Sequence, residues 1–246
     1  MTNSYEEKAN IEMQRWQRKI EKSSSFSKKY TKKLQNKINE KIPEKVHEMF
    51  TTSIKNMVQA TLVGAEYTTA TIPLEGATLE ERETKLQQKI KMYKKTAAVE
   101  GAGTGAGGIL LGMVDFPLLL SIKMKFLFEA ASLYGFDVKD YRERLFILYL
   151  FQLAFSSEEK RKEVLKKMKH WEEVKSQLPD KETYLQQINW KEFQLEYRDH
   201  IDLIKLLQIV PGFGAIVGAF ANYHFLEMLG ETAKNSYRMR VLGVGS

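Results

Sequence analysis

Residues Glu100 to Leu119 read EGAGTGAGGILLGMVDFPLL, and the fold turns on how this stretch is understood. It holds Gly101, Gly103, Gly105, Gly107, Gly108 and Gly112, six of the 15 glycines in the chain. Glycine costs about 1 kcal/mol relative to alanine in a helix interior. Such a density therefore demands a cause: close backbone approach, a phosphate loop or conformational freedom. Gly103, Gly105 and Gly108 satisfy G-x-G-x-x-G, but that fingerprint must follow a strand and open a helix. Upstream, Thr78 followed by Glu81 makes a capping box, and Leu86, Ile90 and Tyr93 continue at helical spacing into the glycines. No phosphate-loop lysine follows. The nucleotide reading fails on context, and no cofactor is assigned. Close packing explains the pattern better. Gly101, Gly105, Gly108, Gly112 and Asp115 step by four, three, four and three residues, which keeps them on one narrow helix face.

A second small-residue stretch, PGFGAIVGAFANYHFLEMLGETA from Pro211 to Ala233, offers Gly214, Gly218 and Ala221 as a matching face. Small-xxx-small faces let two backbones approach closely, in lipid or outside it. Neither stretch makes a convincing span. The 14 uncharged residues from Gly101 to Val114 rise about 21 Å against a hydrocarbon core of about 30 Å. The uncharged run from Leu206 to Leu226 is long enough but is weakened by Pro211, Asn222 and His224. The expected fold is all-α, a single compact multi-helix domain built around the two packed glycine-rich helices.

Almost every other segment is helical in pattern, and five prolines leave room for long helices. Ile11, Trp16 and Ile20 mark a first helix, and Ser23-Ser24-Ser25 breaks it. A basic helix with Phe26, Tyr30, Leu34 and Ile38 follows. Pro43 then opens an amphipathic helix through Met49, Phe50, Ile54, Met57 and Val58. Pro117 marks a kink or a fresh start. Gly135 before Phe136 has the form of a helix C-cap. Asp140 begins a very apolar helix, Leu145 to Phe155, and a charged surface helix runs from Ser156 to about Ser176. We divide the chain into a basic helical segment 1–42, an all-α domain 43–242 and a tail 243–246.

Charge is unevenly placed. Between Arg15 and Lys41, ten bases (Arg15, Arg18, Lys19, Lys22, Lys28, Lys29, Lys32, Lys33, Lys37, Lys41) face Glu21 and Glu40, a local +8 in a chain of net +7. The rest is essentially neutral. A basic amphipathic segment suits an anionic membrane surface, a partner helix or, most plainly, a solvated domain edge; no nucleic-acid module accompanies it, which speaks against DNA or RNA. The absence of cysteine excludes disulfides and thiolate chemistry, and no apolar leader follows the N-terminal charges. The expectation is a cytoplasmic protein peripheral to the cell membrane.

No catalytic residue is assigned. His47, His170, His200 and His224 show no metal-ligand spacing, and no nucleophile elbow occurs. Glu100, Thr104, Asp115, Asn222, His224 and Glu231 border the two glycine stretches and form a candidate polar pocket, at which the alternative to an accessory role is an enzyme or ligand-binding protein acting on a lipid or other apolar small molecule. The plainer reading makes Asp115 an N-cap before Phe116-Pro117 and His224 a satisfied interior histidine.

Several of these motifs together resemble the EcsC family: Glu100 to Gly108, Gly112-Met113-Val114-Asp115-Phe116-Pro117, and Leu133 to Asp137. Towards the C-terminus the pattern continues in Gly214-Ala215-Ile216-Val217-Gly218, Asn222, Gly230-Glu231-Thr232-Ala233, Arg238 and Arg240. Trp16 and Ile42-Pro43-Glu44 also fit. The family takes its name from a protein encoded beside ABC transporter subunits. The resemblance implies a shared helical fold and a role near such a transporter at the membrane, and it supplies no catalytic residues.

Overall fold

In the computed structural model the described residues are 4–22, 44–63, 74, 76–104, 108–187, 189, 191–192 and 215–243. Their side chains are described except at 46, 47, 97–104, 108–115 and 215–222. These residues form α1 (Ser4–Glu21), α2 (Glu44–Val63), α3 (Leu79–Thr104), α4 (Gly108–Leu133), α5 (Tyr141–Phe155), α6 (Glu158–Lys169), α7 (Trp171–Gln177), α8 (Lys181–Gln187) and α9 (Ala215–Val241). No strand occurs among the described residues. The fold is all-α.

Local chemistry sets the helix ends. The Glu81 N–H donates to Thr78 Oγ1 at 3.3 Å and the Thr78 N–H to Glu81 Oε2 at 2.8 Å, the reciprocal bonds of a capping box. Gly135, at φ +89°, closes α4: the Phe136 N–H bonds the Ala131 carbonyl and the Gly135 N–H the Ser132 carbonyl. That is a Schellman cap. Asp140 caps α5 by accepting from the Arg142 N–H at 2.9 Å. Arginines then seal other helix ends from outside. Arg82 reaches the Leu133 carbonyl, Arg144 that of Leu62, Arg161 that of Leu153 and Arg142 that of Leu178. Each supplies a cation where the helix dipole is negative and where carbonyls have no intrahelical donor.

Helix α9 is the axis of the packing. It runs antiparallel to α3, with Arg238 against Glu83, Glu227 against Lys94 and Gly230 against Ile90. A Cβ at Gly230 would lie 2.5 Å from Ile90 Cδ1, so the missing side chain leaves the space that Ile90 fills between these two helices. On another side α5 is antiparallel to α9, joined at Glu143–Arg240 and Phe155–Phe225. Helix α5 buries all but two of its 15 residues, Glu143, Arg144 and Gln152 among them, so it is covered on nearly every side. Helix α4 lies antiparallel to α3, with Tyr93 against Phe126 and bonded to Glu129. Helix α2 covers α4 and α5, and its Phe50 packs on Phe116. Helix α1 buries Ala9, Met13, Trp16 and Ile20 against α9, α6 and α3.

Four expectations need correction. Ile11 is 50% exposed, because Ala9, Met13, Trp16 and Ile20 define the buried stripe of α1 instead. The charged helix from Ser156 divides at His170 into α6 and α7, which turns Trp171 into the core. Asp115 lies inside α4, not ahead of it, so it is not an N-cap. Pro117 is likewise interior; the helix starts at Gly108, and burial of Phe116, Leu119 and Leu120 carries it past the bond that proline removes. The glycines are helical on both sides: Gly101 to Thr104 end α3 and Gly108 to Gly112 begin α4. Residues 105–107 and the packing of the two glycine-rich faces lie outside the described residues. No helix among those described is long and apolar enough to cross a membrane.

Candidate functional site

Where α3 begins and α9 ends, burial and charge conflict, and the conflict organises the region. Glu83 sits on the apolar stripe of α3, three residues before Leu86 and seven before Ile90, and is buried. A buried carboxylate needs a cation and hydrogen bonds. Arg238 of α9 supplies a bidentate pair, Nε to Oε1 and Nη2 to Oε2, both at 2.6 Å. Tyr5 donates to Oε2 at 2.8 Å and Tyr134 to Oε1 at 3.4 Å. The remaining Arg238 nitrogen bonds Glu12 at 3.0 Å and the Ala9 carbonyl at 3.3 Å, so the cluster also fixes α1. Burial would lower the Arg238 pKa, yet Glu83 and Glu12 outweigh it and raise it. Burial, with Glu83, pushes the Tyr5 hydroxyl up to about 12. With four donors on its two oxygens, Glu83 has no lone pair placed for proton abstraction. It is a lock.

A second lock lies on the other side of α9. Arg240 grips Glu143 through Nη1 at 2.5 Å and Nη2 at 2.9 Å, while Lys175 reaches the same carboxylate. Its guanidinium lies 3.7 Å over the Phe136 ring. Burial pushes the Glu143 carboxyl up, but Arg240 and Lys175 overcome that and hold it below the ordinary range. Between the locks, Tyr237 is fully buried, stacked between Tyr134 and Phe136, and its hydroxyl has no partner among the described residues.

The concave surface begins beside the first lock. A hollow of about 250 Å³ is walled by Tyr5, Lys8 and Glu12 of α1, Thr84 and Gln87 of α3, and Lys234 of α9, with Glu83 and Arg238 as its floor. A second hollow of about 390 Å³ continues along α3 and α9, past Ile90, Lys91, Lys94 and Lys95 on one side and Tyr223, Glu227 and Glu231 on the other. Gln87 and Lys234 line both, so the two form one trough. Lys94 is partnered inside it: its Nζ lies 3.1 Å from Glu227 and 3.7 Å over the Tyr223 ring.

Of the expected polar pocket, Glu231 lies on the trough. His224 is not an interior histidine: its side chain is 67% exposed, 3.9 Å from Glu227, because Phe225 and Leu226 take the inward positions of this turn. The side chains of Glu100, Thr104, Asp115 and Asn222 lie outside those described, and so does their convergence. Arg15, Arg18, Lys19 and Lys22 are exposed at the end of α1. Lys28, Lys29, Lys32, Lys33, Lys37 and Lys41 lie outside the described residues. Sequence reasoning missed both locks and the trough. The signal for the first lock was present, since Glu83 interrupts an apolar stripe at a position that cannot face water. The trough had none, because it arises where three separate helices meet.

A model of the EcsC protein family matches residues 7–242. Protein EcsC of Bacillus subtilis (strain 168) is 48% identical over 196 residues, 80% of this chain and 79% of the relative. Uncharacterized protein YdbA of the same organism is 35% identical over 150 residues, 61% of this chain and 54% of that protein. No solved structure matches significantly.

Proposed function

Because the chain belongs to the EcsC protein family, we propose that it is a non-catalytic accessory protein on the cytoplasmic face of the cell membrane. It adheres there to anionic lipid beside the subunits of an ABC transporter. The observation that carries this reading is the division of α1: Trp16 and Ile20 are locked into the core while Arg15, Arg18, Lys19 and Lys22 face outward. Each base near an anionic surface contributes about 1 kcal/mol, and the six lysines from Lys28 to Lys41 extend the run in sequence. Co-sedimentation with phosphatidylglycerol and phosphatidylcholine vesicles tests it. The chain should pellet with the anionic vesicles, release as salt rises, and weaken when Arg15, Arg18, Lys19 and Lys22 become glutamine. Equal adhesion to both vesicles, or to neither, would overturn it.

A second reading, recognition of a small ligand, is favoured by a separate observation, the trough between α1, α3 and α9. The two readings use different residues, and each can fail without the other.

A further inference from the structure

We propose that the trough is a binding site for a phosphoryl-bearing anion, seated at its narrow end between Lys8 and Lys234; this deepens the ligand reading and does not depend on adhesion through α1. The floor pair of Arg238 and Glu83 is neutral, and Glu12, which also reaches Arg238, leaves one negative charge on the wall. The walls are not neutral. Lys8 and Lys234 face the same hollow, and neither has a carboxylate within ion-pair distance among the described residues. Both act on Glu12 only at longer range, helping to keep its carboxyl ionised.

Lys94 makes the contrast. In the same trough it is satisfied by Glu227 and Tyr223, so carboxylate pairing is available there and is withheld from Lys8 and Lys234. Two lysines without a close carboxylate thus line one hollow, and an anion there would be attracted to both. Thr84 and Gln87 line the same hollow with side-chain donors that no described residue uses. Two lysine point charges, one on α1 and one on α9, with neutral donors on α3, suit a tetrahedral phosphoryl anion, a monoester dianion or a diester monoanion, whereas a planar carboxylate is best matched by the single fork of an arginine. Beyond Lys234 the trough widens. Ile90 and Tyr223 supply apolar wall there, and Lys91 and Lys95 add charge at its edge. The wider hollow, about 390 Å³, falls at the scale of small-molecule sites, about 300 Å³ upward, and the narrower one, about 250 Å³, lies just below it. The ligand class is a phosphate ester with an organic body, either a free metabolite or the headgroup of a phospholipid.

Lysine acetylation footprinting of the full chain, read by mass spectrometry, tests this with three probes. They are glycerol phosphate, dihexanoyl-phosphatidylglycerol below its micelle concentration, and succinate as a dianion without phosphorus. At a probe concentration about ten times Kd, modification of Lys8 and Lys234 should fall about tenfold while Lys139 and Lys181 are unchanged. Protection by glycerol phosphate identifies a free phosphate ester; protection by the short-chain lipid alone identifies a headgroup. In calorimetry, K8Q/K234Q should abolish the heat of the effective probe, and K8R/K234R should keep part of it. The variant lacking Arg15, Arg18, Lys19 and Lys22 should be protected like the native chain, so loss of vesicle adhesion and loss of this site read out separately. No protection by either phosphoryl probe, or equal protection by succinate, overturns the proposal.

Discussion

Replacing Glu83 with alanine should remove a large part of the stability of this fold. Its side chain is 4% exposed and that of Arg238 is 3% exposed, so the substitution leaves a guanidinium in the interior without its bidentate partner. Breaking such a pair costs about 3–5 kcal/mol, because the remaining charge stays buried. Here Glu12, at 3.0 Å and 42% exposed, still offers Arg238 one carboxylate oxygen, which places that part near about 3 kcal/mol. The Tyr134 hydroxyl also loses its acceptor in a fully buried position, worth about 1 kcal/mol more. Tyr5 is part-exposed and can turn to water. The expected loss is about 4 kcal/mol, against a total of about 5–15 kcal/mol for a typical domain.

Urea unfolding followed by circular dichroism measures the loss, and a double-mutant cycle with Arg238→Ala assigns it. Since each single change strands the other partner, the double variant should be much less destabilised than the sum of the two. Glu83→Gln should fall between, because it keeps an acceptor for the tyrosines and removes the charge. A loss below about 1 kcal/mol for Glu83→Ala, or strict additivity with Arg238→Ala, would refute the lock.

The Glu143 carboxyl is held below its ordinary 4.5 in the folded chain, so its contribution is fully present above the unfolded pKa and is lost as pH falls through the lower folded value. Stability measured from pH 6 down to about pH 3 should therefore decline, and Glu143→Gln should flatten that decline while lowering stability at neutral pH. Tyr237→Phe keeps both ring stacks and removes a hydroxyl with no partner among the described residues; thermal melting should show no loss, or a gain of up to about 1 kcal/mol. Gly230→Ala sets two effects against each other. Alanine gains about 1 kcal/mol of helix propensity, but its Cβ would meet Ile90 at 2.5 and 2.8 Å, an overpacking cost of about 1–3 kcal/mol. A net loss should appear in urea unfolding and should shrink when Ile90→Ala is the background.

Helix boundaries were legible wherever a local chemical signal set them. Thr78 with Glu81, Asp140, and Gly135 before Phe136 each act within a few residues of chain, so the sequence carries the whole interaction. Pro117 and Asp115 misled because the same residue types that start helices are tolerated inside one when burial of Phe116 and Leu119 outweighs a single missing bond. His224 misled for a related reason: an apolar neighbourhood in sequence says which helix is buried, and the rotation of that helix decides which residue faces out. The locks were half legible. A carboxylate on an apolar stripe announces that a cation must exist, but Arg238 is 155 residues away, and only the packing of α9 on α3 selects it. The trough was not legible at all, since none of its walls departs from an ordinary surface pattern until α1 is laid across α3 and α9.

Helix α1 joins the two functional readings. Its N-terminal half contributes Tyr5, Lys8 and Glu12 to the trough, and its C-terminal half carries Arg15, Arg18 and Lys19 outward. Between them the buried stripe of Ala9, Met13, Trp16 and Ile20 makes both halves one rigid rod against α9, α6 and α3. The hydrogen bonds of Tyr5 to Glu83 and of Glu12 to Arg238 set that rod's position on the bundle. Docking of the outward bases on lipid would therefore fix the direction in which the trough opens. The antiparallel pairing of α3 with α9 and with α4 puts the end of α3, the start of α4 and the start of α9, all glycine-rich, at the end of the bundle away from the Glu83–Arg238 lock. A ligand seated on Lys8 and Lys234 touches α1, α3 and α9 at once, so its binding energy adds to the contacts that hold α1 on the bundle.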